Sequence, residues 1–333
     1  MLTETGTMTR PSTAGPRPLA IEARGLVKRF DGILAVDGVD IAVPEGAIYG
    51  ILGPNGAGKT TTLRMLLGII DPDAGIRRVF GNDRPHEVAR LIGYLPEERG
   101  LYPAMKCDEA IAFMGALRGL PLAEGRARGR ELLEGHGLGH AIDRQIRQLS
   151  KGMAQTVQLL GTLVHRPKLV VFDEPFSGLD AINQGKLEVM IRELADRGTT
   201  VIFSTHVIHH AERLCDEVAI IAGGKVPYAG SVDVARDRIP AQVRLETRSI
   251  KGAWRAALPD DARHDRKGDE SHFWYFPIPD SGIEALLKRL IEGEAGILSL
   301  SIERAGLHDA FVEIAGEAAA RALEENAAGG ASR

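Results

Sequence analysis

The chain has 333 residues, of which 44% are hydrophobic and 26% charged, and its formal net charge is −4. This composition is typical of a soluble globular protein with one large and one smaller domain, and it argues against a nucleic-acid partner. Cys107 and Cys215 lack metal-ligand spacing, so we expect two reduced thiols. No apolar run approaches the roughly 18 residues of a membrane span, and no secretory signal is expected.

The first predicted elements are strands. Residues 1–20, rich in Thr, Pro and Gly, are expected to form a disordered lead. The runs Ile21–Phe30 and Val36–Val43 flank a turn at Asp31 and Gly32, which predicts an antiparallel layer. A buried strand, Ala47–Leu52, then enters a glycine-rich loop.

That loop reads GPNGAGKTT and matches the pattern G-x-x-x-x-G-K-[ST], in which backbone N–H groups surround phosphates at a helix N-terminus. Lys59 is expected to reach the terminal phosphates, and the Thr60 hydroxyl is expected to bind Mg²⁺. The alternative is a chance glycine turn before a helix. The predicted nucleotide-binding residues are Gly53, Pro54, Asn55, Gly56, Ala57, Gly58, Lys59, Thr60 and Thr61.

Strand and helix patterns alternate after the loop, which predicts an α/β fold with a mainly parallel sheet covered by helices. The predicted strands are Leu91–Leu95, Leu169–Phe172 and Thr200–Phe203. The predicted helices are Asp108–Leu120, Leu122–Gly135, Lys151–His165 and Ala181–Arg197.

Two carboxylates follow the second of these strands. Asp173 at a strand end is suited to hold Mg²⁺, and Glu174 is suited to orient and deprotonate a water as general base. The alternative is that both acids cap the following turn.

From Ile21 to Ile221 the chain resembles the ATP-binding subunit of an ABC transporter, because several motifs fall in that family's order. Leu149–Met153, reading LSKGM, is similar to the family's LSGGQ sequence. Ser177–Asp180 is similar to the loop after the acidic pair, and Leu95–Glu97 to the loop that normally carries glutamine. The resemblance implies an ABC-type P-loop ATPase with ATP and Mg²⁺ as cofactors and a helical subdomain at about 98–165.

The resemblance also implies roles for single residues. His206 is expected to contact the terminal phosphate, against the alternative of a surface histidine. Phe30 is expected to stack on adenine, against a core aromatic. Ser150 and Gly152 are expected to contact the ATP of the opposite subunit, and Asp180 the subunit interface. For Ser150 and Asp180 the alternative is an ordinary helix N-cap.

Departures from the family pattern indicate a subgroup. Lys151 and Met153 replace a glycine and a glutamine, and Glu97 replaces a glutamine. The surrounding sequence is similar to bacterial export-type subunits, including those likened to sodium-efflux systems, which carry an extra C-terminal domain. We expect Glu97 to be a third Mg²⁺ ligand, against a plain surface acid.

The domain prediction is an ATP-binding domain at 21–238, a small α+β domain at 239–317 and a tail at 318–333. Strands are predicted at Gln242–Thr247, His272–Ile278 and Ile297–Glu303, helices at Gly282–Ile291 and Leu307–Ile314, and a charged loop at Arg263–Glu270. The expected partners are a membrane-spanning permease and a second, identical ATP-binding subunit. The expected location is the cytoplasmic face of the cell membrane. A soluble ABC ATPase of another process and a non-enzymatic regulatory subunit are the alternatives.

Overall fold

The computed structural model describes residues 17–98, 100–260, 262–267, 271–303 and 306–316. Two compact units divide the chain, one of residues 1–49 and 60–203 and one of residues 50–59 and 204–333. Most of the predicted lead and the whole tail at 318–333 lie outside the described residues. The domain boundaries at 238 and 317 stay a prediction.

The elements alternate as the sequence predicts for an α/β fold. In chain order, those up to residue 205 are β1 (Leu19–Phe30), β2 (Ile33–Pro44), β3 (Ile48–Leu52), α1 (Lys59–Leu66), β4 (Ala74–Val79), β5 (Ile92–Leu95), α2 (Cys107–Ala116), α3 (Leu122–Gly135), α4 (Lys151–Leu163), β6 (Leu169–Phe172), α5 (Ala181–Asp196) and β7 (Thr200–Thr205). The remainder are α6 (Ile208–Leu214), β8 (Glu217–Ala222), β9 (Lys225–Ser231), α7 (Val232–Arg236), β10 (Gln242–Thr247), β11 (Arg263–Lys267), β12 (Ser271–Pro277), α8 (Gly282–Glu292), β13 (Ile297–Glu303) and α9 (Leu307–Ala315).

The first unit contains the predicted antiparallel layer, with strands in the order β2-β1-β4. Alternate residues Val39, Ile41 and Val43 of β2 are buried, because successive side chains of a strand point to opposite faces. β4 was not predicted, since its sequence AGIRRV carries two arginines and is exposed along most of its length.

The strand that precedes the acidic pair, β6, lies in the first unit and runs parallel to both of its neighbours. Leu169 of β6 pairs with Ile92 of β5 and with Thr200 of β7. All four residues of β6 are buried, which explains its uninterrupted apolar sequence LVVF. Because β5 and β6 are parallel, the loops that follow them, with Glu97 and Asp173, lie at the same end of the sheet.

Helices α2, α3 and α4 share an apolar core in the first unit. Its fully buried members include Ile111, Val157 and Leu160, and burying each such side chain stabilises the fold by roughly 1.5–3 kcal/mol. Asp108 is buried at the same place and accepts hydrogen bonds from Arg126 (2.8 Å) and Arg130 (2.9 Å). Two basic residues of α3 thus compensate the buried charge at the start of α2.

The second unit holds an antiparallel sheet with the order β11-β12-β10-β13. Its core contains Trp254 and Trp274, whose rings meet edge to face at 5.5 Å, together with Leu286 and Leu290 of α8. The predicted loop at Arg263–Glu270 is wrong for residues 263–267, which form β11 and pair with β12. Charged residues are compatible with an edge strand, where they oppose pairing with other chains.

The last helix of the second unit packs away from this small sheet. α9 contacts α6, α7 and β8, and Leu307 N donates to Glu212 Oε1 at 3.0 Å. Arg236 of α7 lies 3.8 Å from the same carboxylate. Cys107 and Cys215 are free thiols. No described helix has the length and apolar character needed to cross a bilayer.

Candidate active site

The glycine-rich loop is built so that glycine is required at its first position. An added Cβ on Gly53 would lie 2.3 Å from the carbonyl oxygen of Ile221, which is too close for any side chain. Gly56 and Gly58 have φ of +77° and +105°, the left-handed region that favours glycine. Gly224 N donates to Ala57 O at 3.1 Å, so the turn after β8 is hydrogen-bonded to the loop.

The Lys59 side chain is hydrogen-bonded to the backbone of its own loop. Its Nζ donates to the carbonyl oxygens of Gly53 at 2.9 Å and Pro54 at 3.2 Å, and the side chain is almost fully buried. These bonds hold the ammonium group over the loop, at the first turn of α1. A cation beside backbone N–H groups at a helix N-terminus is suited to bind an anion such as a phosphate chain.

A hydroxyl and a carboxylate meet in the first unit. Thr60 Oγ1 donates to Asp173 Oδ1 at 3.0 Å, which joins residues 113 positions apart in sequence. Both oxygens are hard ligands of the kind Mg²⁺ prefers, and their separation is compatible with one octahedral ion. Among described residues there is no group of three or more His, Cys, Asp or Glu side chains that could hold a metal. This donor set therefore fits an ion that takes its other ligands from phosphate and water.

The acidic residues share a cavity of about 350 Å³ in the first unit. Glu97, Glu98, Asp173 and Glu174 line it together with Lys151. Asp173 and Glu174 are buried, whereas Glu97 is exposed. Glu174 has φ of +48°, uncommon for a residue with a Cβ, and such strain persists where the surroundings hold the residue in place.

Sequence reasoning missed two glutamines that organise this cavity. Gln155 Nε2 donates to Pro175 O at 2.8 Å, and Gln158 Nε2 donates to Glu98 O at 3.4 Å. Both lie on α4 and line the cavity. The sequence signal that could have indicated them is a pair of polar residues three positions apart on an otherwise apolar helix face. Gln158 is buried there, and buried polar side chains generally need hydrogen-bond partners. They tie α4 to the loops on both sides of the carboxylates.

A tyrosine and an arginine near the carboxylates were also missed. Burial raises the pKa of Tyr94, and the charge of Asp173 acts in the same direction, against the lowering effect of Arg64. The pKa of Arg64 is raised mainly by Tyr94, with smaller contributions from Asp173 and Glu98. Tyr94 lies in β5 and Arg64 in α1, so a cationic group accompanies the acidic cluster. No short motif contains either residue.

Ser150 and Asp180 are N-caps of their helices. Ser150 Oγ accepts from Met153 N at 3.3 Å at the start of α4, and Asp180 Oδ1 accepts from Asn183 N at 2.9 Å at the start of α5. The bond from the Asn183 backbone is the largest cause of a lowered pKa for Asp180. Gly152, in the first turn of α4, lies beside Asn183, whose Nδ2 would be 3.5 Å from an added Cβ. Ser150 and Asp180 are therefore helix N-caps, which was the alternative to a role at the subunit interface.

The remaining predicted residues lie at strand ends. Phe30 is the last residue of β1 and is 43% exposed, with Lys28 Nζ 5.6 Å from its ring centroid. It is therefore no core aromatic, and its ring is available for stacking. His206 directly follows β7 and is half-buried. Thr61 is half-buried in the first turn of α1.

Comparison with known proteins defines the class to which this fold and site belong. Residues 36–177 match the family described as ABC transporter. The chain is 40% identical over 227 residues to the daunorubicin/doxorubicin resistance ATP-binding protein DrrA of Streptomyces peucetius, covering 67% of this chain and 69% of that protein. It is 33% identical over 303 residues to the Nod factor export ATP-binding protein I of Burkholderia lata, covering 89% and 97%.

A solved structure described as the ATP binding subunit of an ABC transporter is similar as well. It has a TM-score of 0.61 and 30% identity, and the match covers 66% of this chain and 92% of that one. The chain belongs to the ABC transporter family, as an ATP-binding subunit. It is an ATPase that binds ATP and works with a membrane permease and in dimers, as subunits of this family do. The predicted α/β P-loop ATPase fold is confirmed.

Proposed function

We propose that this chain hydrolyses MgATP with the residues described above and powers export through a separate permease. The observation that carries the proposal is the 3.0 Å bond between Thr60 and Asp173, because it joins the phosphate-loop helix to the acidic strand end. The names of the relatives, a drug-resistance protein and a Nod factor export protein, support export over import.

The phosphate chain binds to the loop Gly53–Thr61, with Lys59 on the terminal phosphates and Phe30 against the base. Its affinity comes from charge-assisted hydrogen bonds to backbone N–H groups and to the Lys59 ammonium. Because Gly53 has no side chain, the backbone of the loop packs closely against the carbonyl oxygen of Ile221. Pro54, Asn55, Gly56, Ala57, Gly58 and Thr61 complete the loop.

Thr60 and Asp173 would hold the magnesium ion, with Glu97, which lines the same cavity as Asp173, as the proposed third ligand. When bound, the ion would neutralise part of the phosphate charge. Glu174 accepts the proton of a water that attacks the terminal phosphorus. The new P–O bond forms to this water while the bond to ADP breaks, and His206 stabilises the charge of the transferred phosphoryl group.

A second, identical subunit completes each site. Ser150 and Gly152 at the start of α4 contact the nucleotide of the opposite subunit, where the helix N-terminus favours an anion. Asp180 at the start of α5 lies at the interface between the two subunits. The dimer then acts on a permease at the cytoplasmic face of the cell membrane.

The substitution Glu174→Gln tests the assignment of the general base. It keeps size and hydrogen bonding but removes the basic carboxylate, so turnover is expected to fall by at least ~10² while ATP still binds. Single-turnover hydrolysis and nucleotide binding by the purified protein measure the two effects separately. The matched control is Glu98→Gln in the same cavity, which is expected to retain turnover. Near-normal turnover by Glu174→Gln would sink the proposal.

A further inference from the structure

The helix that follows His206 is attached to α9, the last helix that the structure describes in the second unit. α9 packs on α6, and its residues Leu307 and Phe311 are fully buried. Val207 separates His206 from Ile208, the first residue of α6. The position of α6 therefore fixes one end of the short segment that carries this histidine.

The attachment of α6 to α9 includes a hydrogen bond from a helix start to a carboxylate. Leu307 N, in the first turn of α9, donates to Glu212 Oε1 of α6 at 3.0 Å, across 95 positions of the chain. The first N–H groups of a helix have no partner within the helix, and the helix dipole favours a negative acceptor there. Asp309 Oδ2 accepts from the neighbouring Gly306 N at 2.9 Å. Glu212 therefore binds the start of a helix on which its own helix packs.

α6 also lies against the strand that enters the phosphate loop. An added Cβ on Gly50 of β3 would be 3.5 Å from Cβ of Ala211 and 2.8 Å from Sγ of Cys215. Ala211 is fully buried, whereas the side chain of Glu212 is partly exposed. α6 thus contacts β3 through Ala211 and is bonded to α9 through Glu212.

The phosphate loop has other supports in the second unit that do not involve Glu212. Gly224 N donates to Ala57 O at 3.1 Å, and the carbonyl oxygen of Ile221 lies against Gly53. A change at Glu212 is therefore expected to act on α6 and on the adjoining His206, while the loop keeps its shape and binds ATP.

We propose that Glu212 is a positioning residue for ATP hydrolysis, because its bond to the start of α9 fixes α6 and with it His206. The inference rests on the role proposed above for His206 at the terminal phosphate. Loss of an interaction that serves the transition state alone lowers kcat and leaves substrate binding unchanged. The contact between α6 and α9 thereby makes the C-terminal helix part of the support of the hydrolytic site.

A double-mutant cycle on the full chain tests the proposal. Glu212→Ala is expected to lower kcat about tenfold and to change the ATP dissociation constant by less than about twofold, because a small displacement of a catalytic group strongly reduces the rate. In the His206→Ala background the same change is expected to lower kcat by less than about twofold, since the group that Glu212 positions is absent.

Two further variants separate the helix contact from other effects of the substitution. Glu212→Gln keeps a side-chain oxygen that can accept from Leu307 N, and it is expected to retain kcat within about twofold of the wild type. Glu313→Ala, at an exposed position of α9, is the matched control and is expected to leave kcat unchanged. Where a lowered melting temperature shows that Glu212→Ala is unstable, Glu212→Asp takes its place in the cycle, because the shorter side chain withdraws the carboxylate from Leu307 N.

The outcomes distinguish this proposal from the role of His206 on which it rests. An equal loss of kcat in both backgrounds, or wild-type turnover by Glu212→Ala, overturns the role of Glu212 alone. A loss in Glu212→Gln as large as in Glu212→Ala assigns the effect to the charge instead of the bond to α9, and it also overturns the proposal. Wild-type turnover by His206→Ala would overturn the role of His206 and this inference together.

Discussion

At the scale of single residues, the site combines positions that tolerate no substitution with positions that are open. At Gly53 a side chain would collide with the backbone carbonyl of Ile221, which cannot move aside as a flexible side chain can. Glu97, by contrast, is exposed at the mouth of the acidic cavity. We therefore expect a conservative substitution to impair binding at Gly53 and to be tolerated at Glu97.

Gly53→Ala is expected to lower ATP affinity at least tenfold, because the methyl group at 2.3 Å from Ile221 O forces the loop to shift. A loop displaced by about 1 Å loses part of its geometry around the phosphates. Equilibrium binding of a fluorescent ATP analogue measures the loss. Gly185→Ala in α5, where an added Cβ meets no atom within 4 Å, is the control and is expected to bind normally.

Glu97→Gln is expected to remain active but to need more magnesium, because a neutral amide oxygen binds the cation less strongly than a carboxylate. ATPase activity titrated against Mg²⁺ in both proteins measures the change. The corresponding change at the neighbouring Glu98 is the control. Superimposable curves for Glu97→Gln and the wild type would assign Glu97 to the surface and leave Thr60 and Asp173 as the metal residues.

At the scale of elements, α4 connects the features of the first unit. Ser150 caps its start, Gln155 and Gln158 bind the loops beside the carboxylates, and its apolar face packs on α2 and α3. α4 therefore contacts both the loop after β5 and the loop after β6 beside the acidic cavity. Beside the helical core on its other face lies the buried carboxylate of Asp108, which pairs with two half-exposed arginines.

Asp108→Asn is expected to lower the free energy of unfolding by about 1–3 kcal/mol, less than a fully buried pair would lose, because Arg126 and Arg130 remain half exposed. Burial alone would raise the pKa of Asp108, but hydrogen bonds from the two arginines lower it below the ordinary 3.8. The stabilisation is therefore present above about pH 3.8 and is lost as the pH falls through the lowered value.

Denaturant unfolding of wild type and Asp108→Asn at pH 7 and in steps below pH 4 measures this difference. The two proteins are expected to differ at pH 7 and to converge in acid. Glu193→Gln is the control, because this exposed carboxylate lies 3.4 Å from Arg197 and should contribute little. A difference that grows toward acid pH would contradict the assignment.

At the scale of the whole molecule, ATP-binding subunits of this family work with a membrane permease. We propose that the permease contacts the segment Gly100–Leu120, whose apolar residues differ in exposure. Tyr102 is 57% exposed, whereas Ile111 is fully buried in the helical core. Contact with a permease is therefore expected at Tyr102 and excluded for Ile111.

A cysteine introduced by Tyr102→Cys is expected to cross-link to a hydrophobic membrane protein in membranes prepared from cells that express the full chain. Val189→Cys, at an exposed position on α5 in the same unit, is the matched control and is expected to capture none. Mass spectrometry of the cross-linked product identifies the partner. Capture of soluble proteins alone at position 102 would contradict a transport role.

The sequence by itself predicted the phosphate loop, the acidic pair and most elements, because these depend on local rules: glycine spacing, apolar strands and helix caps. Ser150 and Asp180 are N-caps as their residue types suggest. β11 was missed because edge strands need no apolar pattern, and β4 for the same reason.

Only the tertiary structure decided which distant residues meet. The bond from Thr60 to Asp173, the glutamines of α4 beside the carboxylates and the ion pairs of Asp108 join residues whose spacing carries no motif. The tertiary structure also showed that Leu298 and Ile302 of β13 are exposed, because the apolar residues of a strand do not indicate whether another element covers them. Contacts between distant segments depend on how the whole unit packs, and a local sequence pattern does not determine that packing.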